Sequence, residues 1–250
     1  MELAGNGFPH AEFILARMSE ATFCTFVRHG QSLSNVGGVT VAHHAIPLTE
    51  TGHAQARRLA ELLPPAPLVL ASPFERALHT ARPWCERHGM AAQTQAALRE
   101  FETIDPALVA GMTGAERRPV ADAYWARADV NERMGERAET FAEFAARVQD
   151  FRARQMPALP AGTLVFGHGM WMAMLMWQCM GFSWGDAQAM RAFRRFQLGL
   201  PVPNGAAYVF TRVLARAGSG WHAQAQEGVL REMTALAQEA SPASAPAIGG

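Results

Sequence analysis

Four segments of this sequence place charged or titratable side chains just after an apolar run. Arg28 and His29 follow "TFCTFV", and His168 follows "TLVFG". Arg76 lies in "SPFERALHT", shortly after "PLVLA", and Glu100 lies in "LREFE". We expect the apolar runs to form buried strands, with a further strand before Glu100. Each of these side chains would then lie at or near the carboxyl end of a strand.

One such residue by itself is weak evidence for a site. A single histidine after a strand is more often a hydrogen-bonded structural residue, and a lone helical arginine is more often solvated. The carboxyl ends of parallel strands, however, meet at one edge of a sheet, where α/β proteins bind their ligands. The sequence therefore predicts that all five side chains converge on one site.

Two arginines, two histidines and one carboxyl group suit the transfer of a phosphoryl group. A guanidinium binds phosphate oxygens through two hydrogen bonds at a time, and a phosphoryl group in transit needs its charge neutralised. The attacking imidazole must be unprotonated, and neighbouring arginines lower its pKa. The nucleophile would be His29 or His168, and Glu100 is the nearest plausible proton donor. No Walker-type motif is present, so we expect the side chains to supply the positive charge, without a metal or other cofactor.

Strands and helices alternate along the chain, which predicts an α/β protein. We expect a three-layer α/β/α sandwich with a mostly parallel central sheet. The expected strands cover 22–27, 67–72, 163–167, 205–214 and 220–226, with another before Glu100. The expected helices cover about 50–63, 73–88 and 170–181, and the segment 112–156 is expected to be mostly helical.

The chain divides into one large domain with an extension at each end. We predict an N-terminal extension at 1–21, with a short helix over "HAEFILARM", and one domain at 22–240. That domain carries a helical insertion at about 101–156. The Pro-, Ala- and Ser-rich segment at 241–250 is predicted to be disordered.

Composition excludes several classes of partner. Of the 250 residues 49% are apolar, and 22 basic residues balance 22 acidic ones, so no nucleic-acid or membrane-surface role is indicated. No apolar run approaches the roughly 20 residues of a membrane span, and the N-terminus does not resemble a secretion signal, which predicts a cytoplasmic protein. The three cysteines are scattered and indicate neither a disulfide framework nor a zinc site. The expected partner is a small phosphorylated substrate, and a homodimer is one possible assembly.

The motifs and their order resemble the histidine phosphatase superfamily, in its phosphoglycerate mutase-like branch. "RHGQSLSN", "PLTETGHAQARRLAELL", "SPFERALHTA", "LREFE", "GHG" and "PNGAAYVF" carry the resemblance, which covers roughly residues 22–213. It implies a phosphoglycerate mutase-like fold in which His29 is the nucleophile and forms a phosphohistidine. It also implies that Arg28, Arg76 and His168 hold the phosphoryl group.

The same resemblance implies roles for three further groups. Asn35 matches a phosphate-contacting asparagine, Glu100 matches the proton donor, and Gly169 matches a glycine whose backbone amide reaches a phosphate oxygen. Water would then hydrolyse the phosphohistidine, and no metal is implied.

Departures from the mutase pattern favour a phosphatase. Ser34 stands where mutases usually carry a tryptophan, and "LREFETIDPALVAGMTG" lacks their Tyr-Gly pair and lysine. The leading hypothesis is a metal-independent phosphomonoesterase acting on a small metabolite, of the histidine acid phosphatase type. The alternatives are a phosphoglycerate mutase, a phosphohistidine-protein phosphatase, and a non-catalytic module that binds a phosphorylated ligand. Retention of both His29 and Glu100 argues against that last alternative. Substrate specificity is expected to lie in 36–46 and 101–140.

Overall fold

The computed structural model describes residues 22–39, 42–215 and 218–240. Six strands within them form one sheet in the order β3-β2-β4-β1-β5-β6. The strands are β1 (Phe23–Arg28), β2 (Val69–Ala71), β3 (Gln93–Thr94), β4 (Thr163–Gly167), β5 (Ala207–Ala215) and β6 (Gly218–Ala225). The first four are parallel to one another, β5 is antiparallel to β1, and β6 is antiparallel to β5. The mostly parallel sheet is thus confirmed, whereas the short N-terminal helix and the tail lie outside the described residues.

Seven α-helices belong to the described part of the chain. They are α1 (Glu50–Leu62), α2 (Glu75–His88), α3 (Gly114–Arg127), α4 (Phe141–Asp150), α5 (Gly169–Cys179), α6 (Ala187–Gly199) and α7 (Glu227–Glu239). Among the described residues, no helix combines the length and the apolar composition that a bilayer span requires.

The helices cover both faces of the sheet because successive strand residues point to opposite sides. Phe26 packs into a core that includes buried residues of α3, α4, α5 and α6. Its neighbour Val27 packs into a second core with buried residues of α1, α2 and α7. The same alternation puts Val165 in the first core and Phe166 in the second. The three-layer sandwich that the sequence predicts is confirmed.

Local sequence signals fix where the helices around the site begin. Thr49 caps α1 by accepting a hydrogen bond from the backbone N–H of Gly52. Capping boxes open the two helices of the insertion, Thr113 with Glu116 at α3 and Thr140 with Glu143 at α4. These helices therefore have well-defined first turns.

The segment 112–156 is mostly helical, as expected, with one interruption. Residues 128–140 separate α3 from α4 and form no α-helix. Ala128 ends α3 with a φ of 53°, and Gly135 has a φ of 97°, both in the left-handed region that a helix cannot continue through. The sequence patterns missed α6 and α7. Glu100 follows β3 by six residues rather than directly, because a 3₁₀ turn at Ala96–Leu98 intervenes.

Candidate active site

His29 lies directly after β1 and is held in one tautomer. Its side chain is buried, and its backbone N–H donates to the carbonyl of Gly167 in β4. Nδ1 lies 2.7 Å from the carbonyl oxygen of Gly30, which can only accept a hydrogen bond, so Nδ1 carries the proton. Nε2 is therefore unprotonated and carries the lone pair. Burial places the pKa of His29 well below its usual value, and the charges of Arg76 and Arg28 lower it further.

Arg76 faces that lone pair from the first turn of α2. Its Nε donates to Nε2 of His29 at 3.2 Å, and its Nη1 donates to the carbonyl of His43 at 2.7 Å. The guanidinium also lies over the ring of Phe74, 5.0 Å from its centroid. Burial lowers the pKa of Arg76 to about 10, so the side chain remains charged at neutral pH. A fixed cation thus lies beside an unprotonated ring nitrogen.

Arg28 closes the other side of the site. Its Nη1 donates to the carbonyl of Val202, while its buried Nε has no hydrogen-bond partner within the described residues. Gly169 lies against this guanidinium, because a Cβ on Gly169 would come within 3.0 Å of Nε. Any side chain at position 169 would therefore displace Arg28.

His168 follows β4 and is fully buried beside His29. The two ring centroids are 5.2 Å apart, and Nε2 of His168 lies 2.7 Å from Oγ of Ser72. Its Nδ1 is buried without a hydrogen-bond partner among the described residues. Burial and then Arg76 hold the pKa of His168 well below its usual value. We call His29 and His168 the two site histidines.

Glu100 binds the first turn of α5 as an anion would. Its Oε2 accepts a hydrogen bond from the backbone N–H of Met170 at 3.0 Å. Its Oε1 accepts from the N–H groups of Trp171 at 2.9 Å and Phe101 at 3.0 Å. The N–H groups of Met170 and Trp171 belong to the first turn of α5, so the carboxyl group serves two backbone donors that a helix start leaves without an intrahelical acceptor. These hydrogen bonds join Glu100 to Met170 and Trp171, which lie 70 and 71 residues later in the sequence.

A buried ion pair fixes the segment that carries Glu100. Arg147 in α4 donates to both carboxylate oxygens of Glu139, and its Nη1 also donates to the carbonyls of Ala97 and Arg99 at 2.8 Å each. The two charged side chains are only 15% and 14% exposed. The insertion thus holds the backbone directly before Glu100.

Asn35 is oriented by a residue that the sequence patterns missed. Its Oδ1 accepts hydrogen bonds from Ser32 and, at 2.9 Å, from Nδ2 of Asn204. Nδ2 of Asn204 also lies 3.1 Å from the carbonyl of His29 and 3.3 Å from that of Gly30. Because Oδ1 accepts these hydrogen bonds, Nδ2 is the atom of Asn35 that could donate to a ligand. Asn204 lies in the quoted motif "PNGAAYVF", which was the available signal.

The predicted residues surround one cavity of about 330 Å³. Arg28, His29, Asn35, Arg76 and Glu100 line it. His168 and Gly169 are absent from the lining and contact its residues from behind. The volume is at the lower end of small-ligand sites.

The lining also includes residues outside the predicted set of site residues. Among them are His43, Arg117, Trp125 and Arg194, together with apolar side chains of the insertion. Burial and then Arg76 lower the pKa of His43 to about 4, so His43 faces the site as a neutral group. In the part of the chain that the structure describes, no cluster of three or more His, Cys, Asp or Glu side chains could hold a metal ion.

Comparisons with solved structures agree with this fold. A solved mycobacterial glucosyl-3-phosphoglycerate phosphatase is 22% identical, with 82% of this chain and 98% of that one covered and a TM-score of 0.60. A solved putative alpha-ribazole-5'-P phosphatase from Escherichia coli is 24% identical, with coverages of 82% and 96% and a TM-score of 0.64. Both likenesses concern the fold.

Sequence relatives match over a shorter stretch. An adenosylcobalamin/alpha-ribazole phosphatase of Salmonella typhimurium is 52% identical over 58 residues, and its Escherichia coli counterpart is 45% identical over 58 residues. The matched stretch is 22% of this chain and 29% of either relative. The family model described as histidine phosphatase superfamily (branch 1) matches residues 24–197, which is more than half of the chain. The chain belongs to the histidine phosphatase superfamily.

Proposed function

We propose that this protein is a phosphoric monoester hydrolase that transfers the phosphoryl group of a small metabolite to His29 and then to water. The observation that carries the proposal is the state of His29. Its Nδ1 proton is held by the carbonyl of Gly30, and its Nε2 lone pair faces the cation of Arg76. A neutral, oriented imidazole beside a guanidinium is what attack on a phosphate requires.

In the first step Nε2 of His29 attacks phosphorus as the bond to the leaving oxygen breaks. Arg28 and Arg76 neutralise the negative charge on the equatorial oxygens of the phosphoryl group. The amide of Asn35, the backbone N–H of Gly169 and the ring of His168 supply further hydrogen bonds to these oxygens. The hydrogen bond from Nδ1 to Gly30 strengthens as the ring becomes positively charged. No step in this sequence needs a metal ion.

Glu100 gives its proton to the leaving oxygen and recovers one from the attacking water. Three backbone N–H groups hold its carboxyl group in place. Water then attacks the phosphohistidine, the P–N bond breaks, and inorganic phosphate leaves with His29 neutral again.

The substrate is proposed to be a small phosphorylated metabolite. The cavity of about 330 Å³ supports this size, and the similar proteins include an adenosylcobalamin/alpha-ribazole phosphatase and a glucosyl-3-phosphoglycerate phosphatase. The homodimer and the cytoplasmic location stay predictions, and sedimentation equilibrium tests the first.

The test is release of inorganic phosphate from p-nitrophenyl phosphate and a panel of sugar phosphates, with EDTA present. We expect turnover by the wild type and none by His29→Ala. His222→Ala, at an exposed position in the edge strand β6, is the matched control and should keep wild-type rates. If the folded protein released phosphate from no ester, the proposal would be wrong. If it interconverted phosphoglycerates without releasing phosphate, the mutase alternative would replace it.

A further inference from the structure

Arg194 contributes a cation to the cavity from an element outside the phosphate site. It lies in α6 and lines the same cavity as His29. Its guanidinium carbon lies 4.9 Å from the ring centroid of Trp125, and its Nη1 donates to Oε1 of Gln197 at 2.7 Å. These two contacts hold the guanidinium in one orientation.

This cation has no ion pair in the part of the chain that the structure describes. Ten arginine–carboxylate pairs occur there, and none of them includes Arg194. Asp122, which is exposed on α3, acts on it electrostatically from beyond ion-pair distance. Burial is the main influence on Arg194 and lowers its pKa. A half-buried guanidinium is costly to desolvate, and an anionic ligand would repay that cost.

The charge balance of the cavity indicates that the substrate carries a second anionic group. Four arginines and one glutamate line the cavity. Arg28 and Arg76 face the phosphate position, while Arg117 donates to the carbonyls of Gly38 and Met112. A phosphomonoester dianion therefore compensates the positive charges of Arg28 and Arg76 around His29. The charge of Arg194 is then available to a second anionic group of the substrate.

The wall near Arg194 is apolar. Trp125, Phe101 and Ile104 line the cavity, and the rings of Phe101 and Trp125 meet edge to face at 6.2 Å. Such a wall suits a hydrocarbon or aromatic body rather than a sugar with many hydroxyl groups. A single guanidinium, one of whose nitrogens is already bonded to Gln197, suits a monoanion with a planar pair of oxygens.

We propose that Arg194 binds a carboxylate on the leaving group of the substrate, with Trp125 as the platform that orients it. The inference rests on the proposed phosphatase function and narrows it to phosphomonoesters of carboxylic acids with a compact apolar body. Arg194 would then determine specificity, because it contacts the part of the substrate that leaves and not the transferring phosphoryl group.

The test compares pairs of esters that differ only in that charge. The substrates are 3- and 4-carboxyphenyl phosphate, each with its neutral carboxamide analogue. We expect the wild type to have a lower KM for a carboxylate ester than for its amide. Arg194→Gln should raise the KM for that carboxylate ester about tenfold, the loss of roughly one charge-assisted hydrogen bond, and should leave the amide unaffected. Arg194→Lys, which keeps the charge but not the planar fork, should retain part of the preference.

Arg195→Gln is the matched control, because Arg195 is the exposed neighbour on the same helix and does not line the cavity. Circular dichroism melting checks that each variant is folded. A wild type that hydrolyses p-nitrophenyl phosphate but prefers neither carboxylate ester over its amide would overturn the inference and leave the phosphatase proposal standing. So would a folded Arg194→Gln variant with an unchanged preference. Absence of phosphate release from every ester, p-nitrophenyl phosphate included, would instead refute the phosphatase function on which the inference rests.

Discussion

Replacing Glu100 by glutamine tests its structural and its chemical role in one variant. The carboxylate accepts three backbone hydrogen bonds, from Met170, Trp171 and Phe101. A glutamine oxygen in the place of Oε1 could keep two of them, but its NH₂ group would face the N–H of Met170. That donor would lose its acceptor, which costs about 1–3 kcal/mol. Loss of the negative charge at the N-terminus of α5 adds about 0.3–1 kcal/mol.

Glu100→Gln should therefore lower the free energy of unfolding by about 1.3–4 kcal/mol, which for a chain of this size is a drop in Tm of roughly 3–16 °C. Its catalytic effect should depend on the leaving group. A poor leaving group such as the alkoxide of glycerol 3-phosphate needs a proton, so kcat/KM should fall about 10²- to 10⁴-fold. p-Nitrophenolate leaves without protonation, so its ester should lose less than about tenfold.

The assay measures kcat/KM for both esters and the melting temperature of the same preparation. Glu136→Gln is the control, since Glu136 is an exposed carboxylate of the insertion, is absent from the cavity lining and should show neither effect. Equal slowing of both esters would refute proton donation by Glu100. An unchanged melting temperature would refute the claim that its carboxylate stabilises α5.

Three further predictions concern the groups around this carboxylate. Gly169→Ala keeps the backbone amide but places a Cβ 3.0 Å from Nε of Arg28, so we expect a folded protein with kcat/KM reduced about tenfold or more, and wild-type kinetics would contradict it. The pKa of both site histidines lies well below 6.5, so kcat/KM should not fall between pH 7 and 6 through their protonation. As the pH falls below about 6.5, the unfolded chain protonates these histidines before the folded protein does. The free energy of unfolding should therefore decrease with falling pH, and urea titrations at a series of pH values measure it. Arg147→Gln leaves Glu139 without its cation, which should cost about 2–3 kcal/mol and slow poor leaving groups more than p-nitrophenyl phosphate, whereas a purely structural role would slow both alike.

The sequence predicted the residues around His29, where we propose that phosphate binds, because the apolar runs next to them are visible in the sequence. Arg28, His29 and His168 come directly after apolar strands, and the geometry of a parallel sheet brings such ends together. The motif does not show the tautomer of His29, because that tautomer depends on how the carbonyl of Gly30 is oriented after folding. The contact of Glu100 with the first turn of α5 likewise joins segments 70 residues apart.

The sequence predicted that specificity lies in 36–46 and 101–140, and both ranges contribute lining residues, but it did not predict Arg194, which is ordinary in sequence. Arg194 lies in "AQAMRAFRRFQLG", where several arginines together are typical of a solvated helix face. Only the packing of Met190 and Phe193 into the core turns that helix so that Arg194 lines the cavity while Arg195 is exposed. Tertiary packing decides which of these arginines lines the cavity, and their spacing in the sequence does not indicate it.

The two ends of the cavity are mechanically joined at the segment that carries Asn35. The backbone N–H of Gly114, the first residue of α3, donates to the carbonyl of Gly37 at 3.0 Å, and Arg117 donates to that of Gly38 at 3.2 Å. A Cβ on Gly114 would lie 2.8 Å from Cα of Gly37, so this approach requires glycine. The insertion therefore lines the cavity near Arg194 and also supports the segment that carries Asn35, the proposed phosphate-binding amide. A change in α3 that alters substrate choice should alter phosphate affinity as well, since the same helix contacts both.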